Sequence, residues 1–198
     1  MKIVFATQNK GKINELKEMF SDLNIDVLSM GEVGLDLDIE ETGVTFFENA
    51  KIKSEALYNA LENKEDYIVM SDDSGIEIEA LDNKPGVYSA RYNGVDTPWI
   101  TKNQMMIEEM KNFTNRNARF VSCIYTIMPN GEAFEKFGVV EGEISFELLG
   151  DKGFGYDMIF IPKGYDKSFS QMSLDEKNSI SHRGRAIEVT KEKLKSIL

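Results

Sequence analysis

The run Tyr67-Ile68-Val69-Met70 passes directly into Ser71-Asp72-Asp73-Ser74-Gly75, and this junction constrains the chain more than any other stretch. Four consecutive apolar residues read as a buried strand. Two adjacent carboxylates at the end of such a strand are costly unless a cation meets them there. The hydroxyl and glycine that follow predict a sharp turn that would expose both acids to a cleft. Asp, Ser and Gly are also ordinary turn formers, so a plain surface turn is the competing reading. The paired acids suit a divalent cation and an activated water better than they suit packing.

The 198 residues are enough for one sizeable domain or one domain with two lobes, and residues 1–198 are read as a single domain. A hydrophobic content of 41% and a charged content of 29% are ordinary for a globular protein. The formal net charge of −11 argues against coating a nucleic-acid backbone or an anionic membrane. Phosphate binding would therefore require a few cations gathered at one place, helped by a metal. The single Cys123 excludes an internal disulfide, and the single His182 excludes a multi-histidine zinc site. Cys123 lies in Phe120-Val121-Ser122-Cys123-Ile124 and is expected to be a buried, inert thiol. The apolar stretch near the N-terminus is too short for a secretory segment and no other run approaches a membrane span, so a cytoplasmic location is expected.

Strand and helix signals mix throughout. Ile3 to Ala6 reads as a first strand and Asn9 to Leu23 as a helix, with Ile13, Leu16 and Phe20 on one face. Thr45 and Glu48 form a capping box for a second helix running to about Asn63. Its core face carries Phe47, Ala50, Ser54, Leu57 and Leu61, and Lys53 is expected to project from the opposite side. Ile76 to Glu79 alternates as a separate strand, and Thr97-Pro98 opens a helix to about Phe113. Arg119 to Met128 and Ala133 to Val140 flank Asn130-Gly131, a hairpin signal. Ser173 with Glu176 forms another capping box, and a last helix runs from about Ser181 towards Leu198. These elements give an α/β protein with a mixed sheet.

Three further segments carry candidate chemistry. Thr7-Gln8-Asn9-Lys10-Gly11-Lys12 lies between a strand and a helix, where backbone N–H groups and the helix dipole favour an anion. It lacks the P-loop spacing, and a polar helix start with solvated lysines is the alternative. His182-Arg183 puts cations in the first turn of a helix, against the dipole by about 0.3–1 kcal/mol each, a conflict that an anionic or carbonyl-bearing ligand would remove. Lys177 could reach the same place, with a solvated charge cluster as the alternative. Phe154-Gly155-Tyr156-Asp157 could stack a base ahead of the apolar Met158 to Ile161, although an aromatic strand entry is the ordinary reading. Glu41 and Asp73 would hold Mg²⁺, Lys10, Lys12 and Lys53 would hold phosphates, and Phe154 with His182-Arg183 would hold a base.

These segments, in this order, resemble the inosine triphosphate pyrophosphatase (dITP/XTP pyrophosphatase) family over essentially the whole chain. The resemblance is also carried by Glu40-Glu41-Thr42-Gly43, Phe46-Phe47-Glu48-Asn49-Ala50, Pro85 to Tyr92 and Ser181-His182-Arg183-Gly184. It implies an elongated mixed β-sheet with flanking helices, two lobes around a central cleft, Mg²⁺ as cofactor and a homodimer. It implies hydrolysis of ITP, dITP or XTP to the monophosphate and pyrophosphate, cleansing the nucleotide pool, with Asp73 as general base and Glu41 and Asp73 at the metal. Thr7 to Lys12, Lys53, Ser74, Phe154 to Asp157, Lys177, His182 and Arg183 would contact the nucleotide. Sequence reasoning alone does not separate Asp72 from Asp73 as the base. Gln8 stands where the family usually has glycine, and Met158 where it commonly has proline. The competing functions are a Maf-like pyrimidine nucleotide pyrophosphatase, which would lack the Ser-His-Arg-Gly and Phe-Gly-Tyr-Asp segments, and a non-enzymatic nucleotide-binding module, which would need no acids at the metal position.

Overall fold

The N-terminal apolar run forms strand β1 (Lys2–Phe5) and feeds helix α1 (Lys10–Met19), whose Ile13 and Leu16 are buried as their spacing predicts. In a computed structural model, residues 1–197 are described, with the side chain of Lys10 outside that description. Phe20, buried just past α1, joins the same apolar face, and a short 3-10 turn (Ser21–Leu23) ends the segment. Strand β2 (Asp26–Ser29) pairs parallel with β1, Ile3 opposite Val27. Helix α2 (Phe46–Ala60) then leads to strand β3 (Tyr67–Ile78), which lies parallel on the other side of β1, Phe5 opposite Met70.

Strand β3 corrects the sequence reading. The expected sharp turn at Asp72-Asp73 does not form, and Ile76 to Ile78 is no separate strand: twelve residues run as one strand with both acids in its middle. The backbone has no need to turn because the carboxylates find partners within reach, as described below.

Beyond β3 the chain forms the two-residue strand β4 (Lys84–Pro85), helix α3 (Trp99–Met110), strands β5 (Asn117–Ile127) and β6 (Ala133–Ile144), strand β7 (Phe160–Pro162), and helices α4 (Leu174–Ile180) and α5 (His182–Ile197). Asn130-Gly131 does close a hairpin, with Gly131 at φ +86° and Met128 N–H donating to Glu132 O at 2.8 Å. The sheet order is β2-β1-β3-β5-β6-β7, with β4 antiparallel to β3 and β7 antiparallel to β6. This is the mixed α/β class read from the sequence.

The chain divides into two compact units. One comprises residues 1–73, 122–138 and 184 onward; the other comprises residues 74–121 and 139–183. The first has its own core of Ile3, Phe5, Leu16, Phe20, Ile68 and Leu194, among others. The second has another built around Ile76, Met106, Phe120, Tyr156, Phe160 and Phe169. Each fully buried Leu, Ile or Phe contributes about 1.5–3 kcal/mol. Cys123 is fully buried in the first unit, and burial pushes its thiol up to about 12, so it is inert. Among the described residues no helix is long and apolar enough to cross a membrane.

Candidate active site

In the first unit the site is organised by α2. Thr45 Oγ1 accepts from the Glu48 amide, and the Glu48 carboxylate accepts from the Val44 and Thr45 amides, completing the predicted capping box. One turn on, Asn49 and Lys53 are both buried. This is a correction: Lys53 does not project away from the core face but lies at its edge, because three oxygens receive its ammonium there. Lys53 Nζ is 2.7 Å from Glu41 Oε1, 3.1 Å from Asp73 Oδ1 and 2.9 Å from Asp72 O. The other Asp73 oxygen, Oδ2, accepts from Asn49 Nδ2 at 3.3 Å.

Neighbouring residues of a strand point to opposite faces, so the two acids of β3 meet different groups. Asp72 Oδ1 accepts from Ser122 Oγ at 2.5 Å, and its Oδ2 is 2.9 Å from Lys12 Nζ. Burial is the largest influence on Asp73 and pushes its carboxyl up; Glu41 adds to this while Lys53 and Lys12 oppose it. Burial works against the Lys53 charge, but Asp73, Glu41 and Asp72 prevail and hold its proton more firmly than in a free lysine. The two oxygens of Glu41 and Asp73 that converge on one ammonium are hard donors. Such a set fits Mg²⁺, which binds through one or two protein carboxylates and completes its shell with phosphates and water. Among the described residues no group of three or more His, Cys, Asp or Glu side chains is placed to hold a metal ion.

The loop before α1 also lies in this unit. Asn9 caps the helix, its Oδ1 accepting from the Gly11 and Lys12 amides at 2.9 and 3.2 Å, while Thr7 Oγ1 accepts from the Asn9 amide at 3.1 Å. Of the amides that sequence reading left open to an anion, those of Asn9, Gly11 and Lys12 are therefore held by the loop's own side chains. Gln8 Nε2 donates to Asp36 Oδ1 at 2.7 Å. Lys10 begins α1, and its side chain lies outside the described residues.

The second unit gathers the aromatic and cationic candidates. Lys177 Nζ is 2.9 Å from Asp157 Oδ2 and 4.7 Å from the centre of the Phe154 ring. The Arg183 guanidinium is 5.5 Å from the same ring, and its Nη2 donates to Ser74 Oγ at 3.3 Å. His182 stacks on Phe120 with ring centres 4.6 Å apart and planes 10° from parallel. Lys177, His182 and Arg183 are all buried, which sets aside the solvated-cluster alternative. Ser173 caps α4 by accepting from the Glu176 amide at 3.1 Å.

The Phe154 to Asp157 segment is held from both ends. Asp157 Oδ2 accepts from the Phe154 amide at 2.9 Å, and a Cβ on Gly153, at φ +81°, would come within 2.2 Å of that oxygen. Gly155 O accepts from Asn103 Nδ2 at 2.8 Å, and the same amide group donates to Trp99 O at 2.7 Å. The Tyr156 side chain is a core residue, packed edge-on against Trp99 with its hydroxyl 3.4 Å from Ser89 O. Only the backbone of Tyr156 is left to meet a ligand.

Asn49, Ser122, Gly153 and Asn103 were missed by sequence reasoning. Asn49 alone had a usable signal, since it lies one turn before Lys53 in a capped helix. Ser122 and Asn103 act through contacts distant in the chain, and Gly153 acts on Asp157 four residues on, in a segment where no periodic pattern marks it.

The sequence model of the Ham1 family matches residues 3–193. The chain belongs to the Ham1 family. Among Ham1 relatives, the dITP/XTP pyrophosphatase of Clostridium perfringens (strain 13 / Type A) is 43% identical over 201 residues, covering 100% of this chain and 98% of that protein. The dITP/XTP pyrophosphatase of Campylobacter jejuni subsp. jejuni serotype O:2 is 44% identical over 198 residues, 98% of each chain. The structure of the Staphylococcus aureus Ham1 protein superposes with a TM-score of 0.88 at 40% identity, covering 100% of both chains. The resemblance read from the sequence motifs is thus borne out along the chain, and the fold class with it.

Proposed function

We propose that this Ham1 protein hydrolyses non-standard purine nucleoside triphosphates (ITP, dITP and XTP) to the monophosphate and pyrophosphate. The observation that carries this reading is the pair Glu41 and Asp73 closed around the buried Lys53 ammonium, in a chain whose 43–44% identical relatives are dITP/XTP pyrophosphatases. A Maf-like pyrimidine enzyme or a non-catalytic module finds no such support.

Glu41 and Asp73 would hold Mg²⁺. Bound there, Mg²⁺ would neutralise charge developing on the leaving pyrophosphate. Asp73 takes the proton of the water that attacks the α-phosphorus. Lys12 and Lys53 supply positive charge to the phosphates, and the Thr7 to Lys12 loop orients them. In the second unit, Phe154 offers a ring face to a purine, and Arg183 and Lys177 offer donors to the 6-oxygen. Hypoxanthine and xanthine carry that acceptor, whereas adenine carries an amino donor that would leave a buried cation facing another donor. Ser74 and Asp157 hold Arg183 and Lys177 in place for this contact.

A homodimer is the form the sequence resemblance implies, and sedimentation of the purified chain tests it. The reaction itself is tested with ITP in ¹⁸O-water and Mg²⁺. Label in the monophosphate, with unlabelled pyrophosphate as co-product, supports attack at the α-phosphorus. Label in the pyrophosphate, or release of orthophosphate, contradicts it.

A further inference from the structure

The two carboxylates of the first unit reach their common ammonium by different routes, and one side chain joins those routes. Asp73 is fixed in the middle of β3, but Glu41 sits in residues 35–43, which form no helix or strand. A carboxylate on such a segment has many alternative positions, and confining it costs backbone entropy. Asn49 meets that segment two residues beyond Glu41. Its Oδ1 accepts from the Gly43 N–H at 2.8 Å, while its Nδ2 donates to Asp73 Oδ2 at 3.3 Å. The residue is 0% exposed, so neither end of its amide has water as a substitute partner.

Gly43 is shaped to this contact. A Cβ there would lie 2.6 Å from Asn49 Oδ1, 2.7 Å from Glu48 Cβ and 2.9 Å from the Asn49 backbone nitrogen. Two of these obstacles belong to helix α2 itself and cannot swing aside, so the close approach of the loop to the helix depends on glycine. At the same time Asp73 receives Lys53 on one oxygen and Asn49 on the other, which fixes the rotation of its carboxyl group.

We propose that Asn49 is a positioning residue for catalysis: one amide anchors the loop that carries Glu41 and sets the orientation of the Asp73 carboxylate. This rests on the pyrophosphatase reading above. The residue does not touch substrate; it keeps two reacting carboxylates in register, where displacements near 1 Å are enough to cost a hundredfold in rate.

Asn49→Asp separates the two tasks, because a carboxylate still accepts from Gly43 N–H but can no longer donate to Asp73. Asn49→Ala removes both, and Gly43→Ala pushes the loop away with Asn49 intact. We expect Asn49→Asp to lower kcat for ITP at least tenfold with KM within threefold of the parent, and to keep the Gly43 amide protected from deuterium exchange. Asn49→Ala should lose both turnover and that protection. Gly43→Ala should lower kcat by a similar factor and serves where Asn49→Ala fails to fold. Turnover of Asn49→Asp within threefold of the parent, or a loss confined to KM, overturns the proposal. So does a Gly43 amide that exchanges freely in the parent protein, whatever its activity. A parent inert on ITP instead overturns the pyrophosphatase reading, and the catalytic half of this proposal with it.

Discussion

The charged cluster of the first unit and that of the second are built from different groups. Around Lys53 and Lys12 stand three carboxylates, Glu41, Asp72 and Asp73. Around Phe154 stand two cations, Lys177 and Arg183, with Asp157 paired to Lys177. The first set has the hard oxygens that suit a cation, and the second has the donors and ring face that suit an acceptor oxygen or an electron-rich ring. On the proposed function the same chain, at net charge −11, uses one place for metal and phosphate and another for an oxo-purine. Under that proposal, chemistry belongs to the first region and discrimination to the second.

That division can be broken by substitution. Asp73→Asn keeps size and removes the base together with one metal charge. Its kcat for ITP should fall about 10²- to 10⁴-fold while nucleotide binding largely survives. Activity within tenfold of the parent would move the base elsewhere, with Asp72 next in line. Lys53→Met should strike both turnover and folding, because a buried ammonium that satisfies two carboxylates leaves them uncompensated when it goes. Breaking such a pair costs about 3–5 kcal/mol, which should lower the urea midpoint by more than about 1 M. A Lys53→Met protein as stable as the parent would show that the carboxylates find another cation.

Arg183→Ala tests the second region. A lost charged donor is worth about 1.5–3 kcal/mol, so the preference for ITP over ATP should narrow by roughly ten- to a hundredfold, with KM for ITP raised. Equal weakening of every triphosphate would make Arg183 a phosphate ligand and erase the contrast. A pair outside both regions calibrates these effects. Glu32 is held at about 2 by Lys17 and by the amide and hydroxyl of Ser29. A lowered carboxyl contributes stability that is present above its unfolded value and lost as pH falls towards the folded one. Glu32→Gln should therefore flatten the acid limb of stability between the ordinary carboxyl value of 4.5 and about 2. Both partners are 42% exposed, so the cost at neutral pH should stay below about 1 kcal/mol. A larger loss would mean that burial is not what separates strong pairs from weak ones here.

Legibility in the sequence followed the range of each interaction. The first strand, α1, the Thr45 capping box and the Asn130-Gly131 hairpin depend on residues a few positions apart, and they form as read. The turn at Asp72-Asp73 was misread because its outcome depends on Lys12, Lys53 and Ser122, which are remote in sequence. Without those partners two adjacent acids do argue for a turn; with them the strand continues. Lys53 was placed on the wrong side of its helix for the same reason, since spacing shows where a side chain can point and not which oxygens await it. Within the candidate site, the chemistry-bearing residues were visible as types in a motif. Asn49, Gly153 and Asn103 were not, because they carry no charge and act by holding other groups.

The measurement closest to the central claim is pyrophosphate release from ITP, XTP, dTTP and ATP side by side, at equal Mg²⁺. The division of labour predicts that kcat/KM for ITP and XTP exceeds that for ATP and dTTP by at least about a hundredfold, the discrimination available to a site that hydrogen-bonds an oxo group. Preference for dTTP, or equal turnover of all four, would contradict it.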